Sequence, residues 1–352
     1  MFLSEFDYEL PEELIAQHPA AQRDASRMLV VERGSRSWRD GQFSEIAAEL
    51  REGDVVVVNN TRVFPARLLG RREPTGGRVE LFLIRRREDF GAHAWEALAR
   101  PARRLDAGAR VAFGDGRLRG EVLAAPGEGP ERVVRFDCEG DFDALLEEFG
   151  QMPLPPYIKR DGADLASQAQ DRERYQTVYA GRRGAIAAPT AGLHFTPRVF
   201  DELRARGVRL AELTLHVGYG TFAPVRVEDL GEHRVAAEEF EIDAEAAAEI
   251  NRARGLGGRV VAVGTTTVRA LETAADECGR VRPGRGETGL TITPGHAFRA
   301  ADALLTNFHF PRSSLLVLVA AFAGRELTLA AYRHAVRSRY RFYSYGDCML
   351  IS

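Results

Sequence analysis

The 352-residue chain predicts an α/β fold interrupted by a smaller, strand-rich insertion. Three observations carry this. After Asp171, helical and β-branched segments alternate, the pattern of parallel strands joined by helices. Between Val63 and Gln151, short apolar segments recur with Gly, Pro and Asp between them, the spacing of a small barrel or sandwich. The length is also generous for one core, so a large domain plus a smaller one is expected.

Taken in order, the chain opens with a short helix from Pro11 to Gln17, proline in its first turn, then a loop and a strand at Met28–Val31. Phe43, Ile46 and Leu50 lie at helical spacing, and Gly53 ends that helix. The run Val55–Val58 is continuous and β-branched, as in a strand buried on both faces. The segments ARLLG, RVELFLIR, HAWEALA, RVAF, LRGEVLAA and RVVRF supply the insertion's strands, DFDALLEEFG a helix, and QMPLPPYIKR an extended, proline-bound connector. The expected division is therefore residues 1–62 with 152–352 as one discontinuous α/β domain, and 63–151 as the inserted β domain. Further on, Thr196 caps a helix with Pro197 in its first turn and Gly207 as its stop. VRLAELTLHV is a strand, Asp243 caps the next helix, RVVAVG is a buried strand leading into a helix at Thr265, and LTLAAYRHAVRSRY is the last long helix.

Hydrophobic residues make up 45% and charged residues 28%, the balance of an ordinary globular protein. The net charge of −3 does not advertise a nucleic-acid binder. The charge is uneven, however: Arg62–Arg119 holds 14 basic against 7 acidic residues, and Gly120–Gly150 holds 2 against 9. Such a basic face suits an RNA backbone, although arginine richness beside a single lysine, Lys159, equally fits a GC-rich genome. Cys138, Cys278 and Cys348 form no C-x-x-C pair and read as small buried residues rather than disulfides or zinc ligands. Eight histidines include no H-x-x-x-H pair, so no metal is expected. The longest apolar run, Leu315–Ala323, is too short to span a bilayer, and the acidic N-terminus lacks a signal pattern, which points to the cytoplasm and no membrane.

Six polar strings interrupt the apolar runs. In VVAVGTTTVRALET, a strand ends at Gly264 and a helix follows, so the helix N–H groups with Thr265, Thr266 and Thr267 suit a carboxylate or phosphate, and Arg269 suits an anion; a capped helix with a structural arginine fits as well. Asn59, Asn60 and Thr61, with Arg62 adding charge, suit a purine or ribose edge, or form an ordinary polar turn. His194 and His216 sit between apolar residues, each beside glycines (Gly192; Gly218 and Gly220) that allow close backbone approach. Tyr219, flanked by glycines, is the best aromatic for stacking on a base. Thr306, Asn307 and His309 stand before Pro311, and Tyr345, Gly346 and Asp347 near the end; such groups beside buried segments need partners, a ligand among them. No G-x-x-x-x-G-K-[ST], G-x-G-x-x-G or G-x-S-x-G string occurs in these places, which disfavours nucleotide-triphosphate, Rossmann and serine-hydrolase readings.

In order and spacing, these strings together with FDYELPEELIAQHP, SRMLVV, VVVNNTRVFPARLLG, PLPPYIKR, ERYQTVYA and SYGDCMLI resemble the S-adenosylmethionine:tRNA ribosyltransferase-isomerase family of queuosine biosynthesis, essentially end to end. The resemblance implies a larger α/β domain interrupted by an antiparallel β-barrel. It implies transfer and isomerisation of the ribosyl moiety of S-adenosylmethionine onto 7-aminomethyl-7-deazaguanine at the wobble position of tRNA, with adenine and methionine leaving. S-adenosylmethionine is then a co-substrate, no prosthetic group or metal is needed, and a monomer is expected. On that chemistry His216 and His194 are the proton-transfer candidates, supported by Asp347 or His309. Asn59, Asn60, Thr61, Arg62, Gly192, Gly218, Tyr219, Gly220, Thr265–Thr267, Thr306 and Asn307 hold substrate, and Arg269 takes the methionine carboxylate. The chain departs from many relatives at Val235 and Ala236, where they carry Met and His, and at His296, where tyrosine is usual. The rival readings are an S-adenosylmethionine-dependent RNA methyltransferase, which normally has a glycine-rich turn after its first strand, and a non-catalytic RNA-binding protein.

Overall fold

A computed structural model describes every residue except 128, 161–164, 223, 224 and 226. Along the chain come β1 (Arg27–Glu32), β2 (Ser37–Gln42), α1 (Ile46–Glu49), β3 (Val55–Asn59) and β4 (Thr61–Val63). There follow β5 (Arg67–Glu73), β6 (Arg78–Arg86), β7 (Ala94–Arg100), β8 (Arg110–Phe113), β9 (Leu118–Ala124), β10 (Glu131–Cys138), α2 (Phe142–Phe149) and β11 (Gly150–Gln151). The remainder is α3 (Leu165–Arg174), β12 (Arg182–Ala185), α4 (Pro197–Ala205), β13 (Arg209–Leu215), β14 (Glu238–Ile242), α5 (Ala244–Gly255), β15 (Val260–Val263), α6 (Thr265–Ala274), β16 (Gly284–Thr288), β17 (Ala303–Asn307), α7 (Ser314–Ala323), α8 (Arg325–Arg337) and β18 (Cys348–Ile351).

Two sheets dominate. Strands β5, β6, β7, β10, β9 and β8 form an antiparallel ring closed by the β5–β8 pairing, a six-stranded barrel lying within residues 63–151, and β11 adds to β5. Its interior is packed with Leu81, Leu83, Val111, Phe113 and Val134, and α2 covers it with Phe142 and Leu146. The strand-rich segments thus close into a barrel rather than a sandwich.

The large sheet has the order β16-β14-β13-β3-β15-β17-β18-β1-β2. Its successive residues face opposite cores, as strand geometry requires. Val55 and Val57 join one cluster with α5 and α6, whereas Val56 and Val58 join another with Ile46, Val199 and Leu203 of α1 and α4. The β-branched run is therefore buried on both faces, between helical layers.

The sheet is not wholly parallel, contrary to the simplest reading of strand–helix alternation. Strands β13, β3, β15 and β17 run parallel, but β18 is antiparallel to β17, and β14, β16 and β2 are antiparallel additions. One crossover helix returns the chain to the start of a sheet and makes the next strand parallel. Between β17 and β18 stand two helices, α7 and α8, bent by 116° at Gly324. With two helices in place of one between these strands, β18 enters the sheet from the opposite end. Asn307 then lies opposite Cys348.

Local signals fare unevenly. Thr196 and Asp243 cap α4 and α5 through their side chains. The segment Pro11–Gln17 keeps only a 3-10 turn at Glu12–Leu14, too short to hold an α-helix. Of the cysteines, only Cys348 is buried; Cys278 is exposed and Cys138 intermediate. The apolar run at Leu315–Ala323 belongs to α7, a core helix, and among the described residues no single helix is long and apolar enough to cross a membrane.

Candidate functional site

The parallel strands β13, β3, β15 and β17 all end at one edge of the large sheet. There the polar strings after each strand collect. The antiparallel β18 adds its own preceding loop to that edge, and β1, parallel to β18, adds Ser26 and the residues before it. The sheet reversal is thus what brings Tyr343–Asp347 beside Thr306–His309.

A cavity of about 360 Å³ opens at this edge. The start of α6 forms one wall with Gly264, Thr265 and Thr266. Gly264 has φ +93° and no side chain among the described residues caps the helix, so its first-turn N–H groups remain for a ligand or water. Thr306, Asn307 and His309 form a second wall, Tyr157, Tyr343 and Ser344 a third. His309 Nε2 lies 2.8 Å from Thr306 Oγ1, and burial pushes its pKa down to about 3, so the ring is neutral. Its backbone is held on both sides, the N–H by Tyr332 Oη and the carbonyl by Tyr8 Oη. Asn307 Nδ2 donates to the Tyr343 carbonyl at 2.9 Å. Tyr343 is buried, sits at φ +74°, and its hydroxyl is without a hydrogen-bond partner among the described residues. Arg312 supplies the lining's cation, paired with Asp7 at 2.8 Å.

Residues 3–351 match the family described as queuosine biosynthesis protein. The chain is 54% identical over 351 residues to the S-adenosylmethionine:tRNA ribosyltransferase-isomerase of Symbiobacterium thermophilum and 53% identical to that of Syntrophotalea carbinolica, covering 100% of both chains in each case. The chain belongs to this family. Among solved structures it resembles an S-adenosylmethionine tRNA ribosyltransferase from Thermotoga maritima, 37% identical, with a TM-score of 0.55 over 99% of this chain and 100% of that one.

Within this queuosine-family chain, the expected residues fall into four groups. Thr265, Thr266, Thr306, Asn307 and His309 line the cavity. His194 stands directly behind it: Nδ1 is 2.9 Å from Ser26 Oγ, Nε2 is 3.4 Å from Asn307 Oδ1, and burial pushes its pKa down to about 4. Gly220 and Arg269 line a small neighbouring pocket that shares Thr266 and Ser314 with the main one.

The others are placed elsewhere. Asn59 lies between β3 and β13, its Oδ1 accepting from the N–H groups of Thr61 and Leu215 and its Nδ2 donating to the Leu215 carbonyl. Asn60 bonds Glu212 and Thr214. Thr61 Oγ1 is 2.8 Å from Nδ1 of the half-buried His216, whose pKa burial lowers, and the imidazole lies over Gly184. Arg62 is exposed. Thr267 bonds back to the Val263 carbonyl. Gly192 is packed under Tyr179, and Gly218 donates to Glu238. Tyr219 stands edge-on to Phe82 of the barrel, with 5.7 Å between centroids. Asp347 accepts from the N–H groups of Arg27 and Arg341, tying β1 to the loop before β18. Arg269 is buried, with Glu238, the Leu290 carbonyl and the Thr288 carbonyl on its guanidinium.

Tyr157, Tyr343, Ser344, Phe310 and Ser313 also line the cavity and were not singled out from the sequence as site residues. Tyr343 was visible only as one of several nearby aromatics. Its left-handed backbone has no sequence signature, since the residue is not glycine or asparagine.

Proposed function

We propose that this member of the queuosine family transfers and isomerises the ribosyl moiety of S-adenosylmethionine onto 7-aminomethyl-7-deazaguanine at the wobble position of tRNA. Epoxyqueuosine-tRNA, adenine and methionine are the products. It acts in the cytoplasm as a monomer, with residues 63–151 as the inserted domain and the rest as the catalytic one. The observation that carries this reading is the cavity: large, aromatic, and lined by neutral polar groups together with Arg312 at the ligand edge of the sheet.

The proposed chemistry asks little of the protein beyond positioning and water exclusion. The sulfonium acidifies the adjacent 5′ carbon, whose proton a neutral imidazole accepts. Loss of that proton expels O4′ from C4′, and O4′ becomes the C1′ carbonyl oxygen as the bond to adenine breaks and adenine takes up the proton. The aminomethyl nitrogen adds to C4′ and gives up a proton, the C5′ carbanion so regenerated closes on C1′ to form the carbocycle, and the resulting C1′ alkoxide displaces methionine from C5′ as a neutral leaving group to close the epoxide. His309 is the imidazole that faces the cavity, oriented by Thr306. His194 steadies Asn307 from behind. His216 stands outside the lining, where its bond to Thr61 holds β4 beside the end of β13. Thr265 and Thr266 hold substrate oxygens at the start of α6.

The test is incubation of the purified protein with S-adenosylmethionine and tRNA carrying 7-aminomethyl-7-deazaguanine, followed by nucleoside mass spectrometry and an adenine assay. Epoxyqueuosine with equimolar adenine is expected. A methylated nucleoside with S-adenosylhomocysteine would replace this reading with a methyltransferase, and tRNA binding without turnover would replace it with a binding protein.

A further inference from the structure

Beside the main cavity, and sharing Ser344 with it, lies a small pocket lined by Arg23, Ser26, Arg174, His194 and Tyr345. Its volume is about 20 Å³, room for a single oxygen-sized atom of an entering group and not for a ring. Two guanidinium groups line this pocket, and among the described residues neither has a hydrogen-bonded carboxylate. Arg23 donates to the carbonyls of Leu193 and Glu173, and Arg174 to those of Ala20 and Ala21. The Arg174 Nε is buried and without a partner among the described residues.

The carboxylates nearby are committed elsewhere. Asp171 is held bidentately by Arg160 and also accepts from Tyr345. Asp24 pairs with Arg198, and Asp347 accepts from two backbone N–H groups. The Glu173 carboxylate acts on Arg23 through space, while burial and Arg174 both disfavour the Arg23 charge. Neutral His194 adds no negative charge. Two like charges held together, one with a buried donor unfilled, make a site that an oxyanion neutralises.

We propose that Arg23 and Arg174 form an oxyanion subsite at the rim of the cavity, occupied during turnover by a substrate group. The inference rests on the function proposed above, which offers two sources of the same chemistry: a backbone phosphate flanking the modified nucleotide, and the carboxylate of the sulfonium substrate. The Ser344 junction puts either within reach of a molecule in the main cavity.

The test uses the full chain and the variants Arg23→Gln and Arg174→Gln, with circular dichroism and thermal midpoint as folding controls. Equilibrium dialysis gives the Kd for S-adenosylmethionine, and a salt series gives that for tRNA. A phosphate source predicts about tenfold weaker tRNA binding, a salt slope flatter by about 0.7–0.9, and unchanged S-adenosylmethionine binding. A carboxylate source predicts the same loss for S-adenosylmethionine and none for tRNA. Both outcomes support the subsite; folded variants with both constants and the salt slope unchanged overturn it. If the variants fail to fold, phenylglyoxal labelling of the wild-type protein decides: protection of Arg23 or Arg174 by either substrate supports the subsite, and equal labelling with and without substrates overturns it. Wild-type protein that binds neither substrate would remove the proposed function, and the subsite with it.

Discussion

Asn307 Nδ2 reaches the backbone carbonyl of Tyr343 at 2.9 Å, joining the last residue of β17 to the loop that precedes β18. The same side chain meets His194 through Oδ1. One amide therefore ties together three segments that are far apart in sequence, and it sets the wall on which Tyr343 stands. Replacing Asn307 with Leu should lower stability by about 1–3 kcal/mol, because it leaves a buried carbonyl and an imidazole nitrogen unpaired. It should also depress kcat more than the stability loss explains. Urea titration alongside single-turnover rates checks both; an unaltered kcat would show that the wall tolerates displacement.

Tyr343 offers a sharper separation. Its hydroxyl is buried without a partner among the described residues, a state that costs folding free energy. Tyr343→Phe should therefore leave the denaturation midpoint unchanged or raise it, by up to about 1 kcal/mol. If the hydroxyl meets substrate, turnover should fall by about tenfold or more while the fold stays intact. A variant both less stable and fully active would contradict each half of this argument.

The two buried histidines predict how stability follows pH. In the folded chain His194 titrates near 4 and His309 near 3, both below the ordinary 6.5, chiefly through burial. The unfolded chain thus binds the extra protons. Their contribution is complete above about pH 6.5 and is lost as pH falls through the interval down to 4 and 3. For His194 the displacement corresponds to about 3 kcal/mol. Guanidinium midpoints measured from pH 7 to 4 should decline, and His194→Gln should flatten the slope by up to one proton. An equal slope in that variant would mean His194 does not contribute.

Arg269 and Glu238 are both nearly inaccessible and form an ion pair. Arg269→Met would strand the buried carboxylate and should cost about 3–5 kcal/mol, much of it recovered by adding Glu238→Leu. The denaturant midpoints of the single and double variants test this. A sole effect on S-adenosylmethionine affinity, with stability untouched, would instead favour Arg269 as the carboxylate anchor.

What the sequence revealed depended on whether the signal was local. Caps at Thr196 and Asp243, the buried β-branched run at Val55–Val58, and the strand–glycine–helix turn at Gly264 are contained within a few residues. The alternation of short strands and turns marked the insertion. Strand direction at β18 was not legible, because it depends on how α7 and α8 bend at Gly324, a tertiary outcome.

The site followed the same rule. Thr265, Thr266, Thr306, Asn307 and His309 end buried strands or begin a helix, and the cavity is where they meet. Arg269 looked equally available from its position one turn into α6. The residue that engages it, Glu238, comes from β14, a strand with no clear sequence pattern. For Asn59 and Asp347, one backbone partner is local, but the other comes from 156 and 320 residues away. No spacing rule reports such pairings.

The barrel also bears on how the chain assembles. Strand β3 must pair with β13, Val55 opposite Arg209, across a very long stretch of chain. The barrel's strands are by contrast mostly paired with their neighbours in sequence, apart from the β7–β10 pairing and the closing β5–β8 contact, and β11 pairs with β5 so that Gln151 lies opposite Arg67. Contacts between near neighbours form faster than distant ones. Once the ring closes, over half of the chain between Val55 and Arg209 is bridged at its base. The entropy of closing the remaining loop is reduced accordingly. The insertion thus serves as a splint, shortening the search by which the strands of the larger sheet find one another.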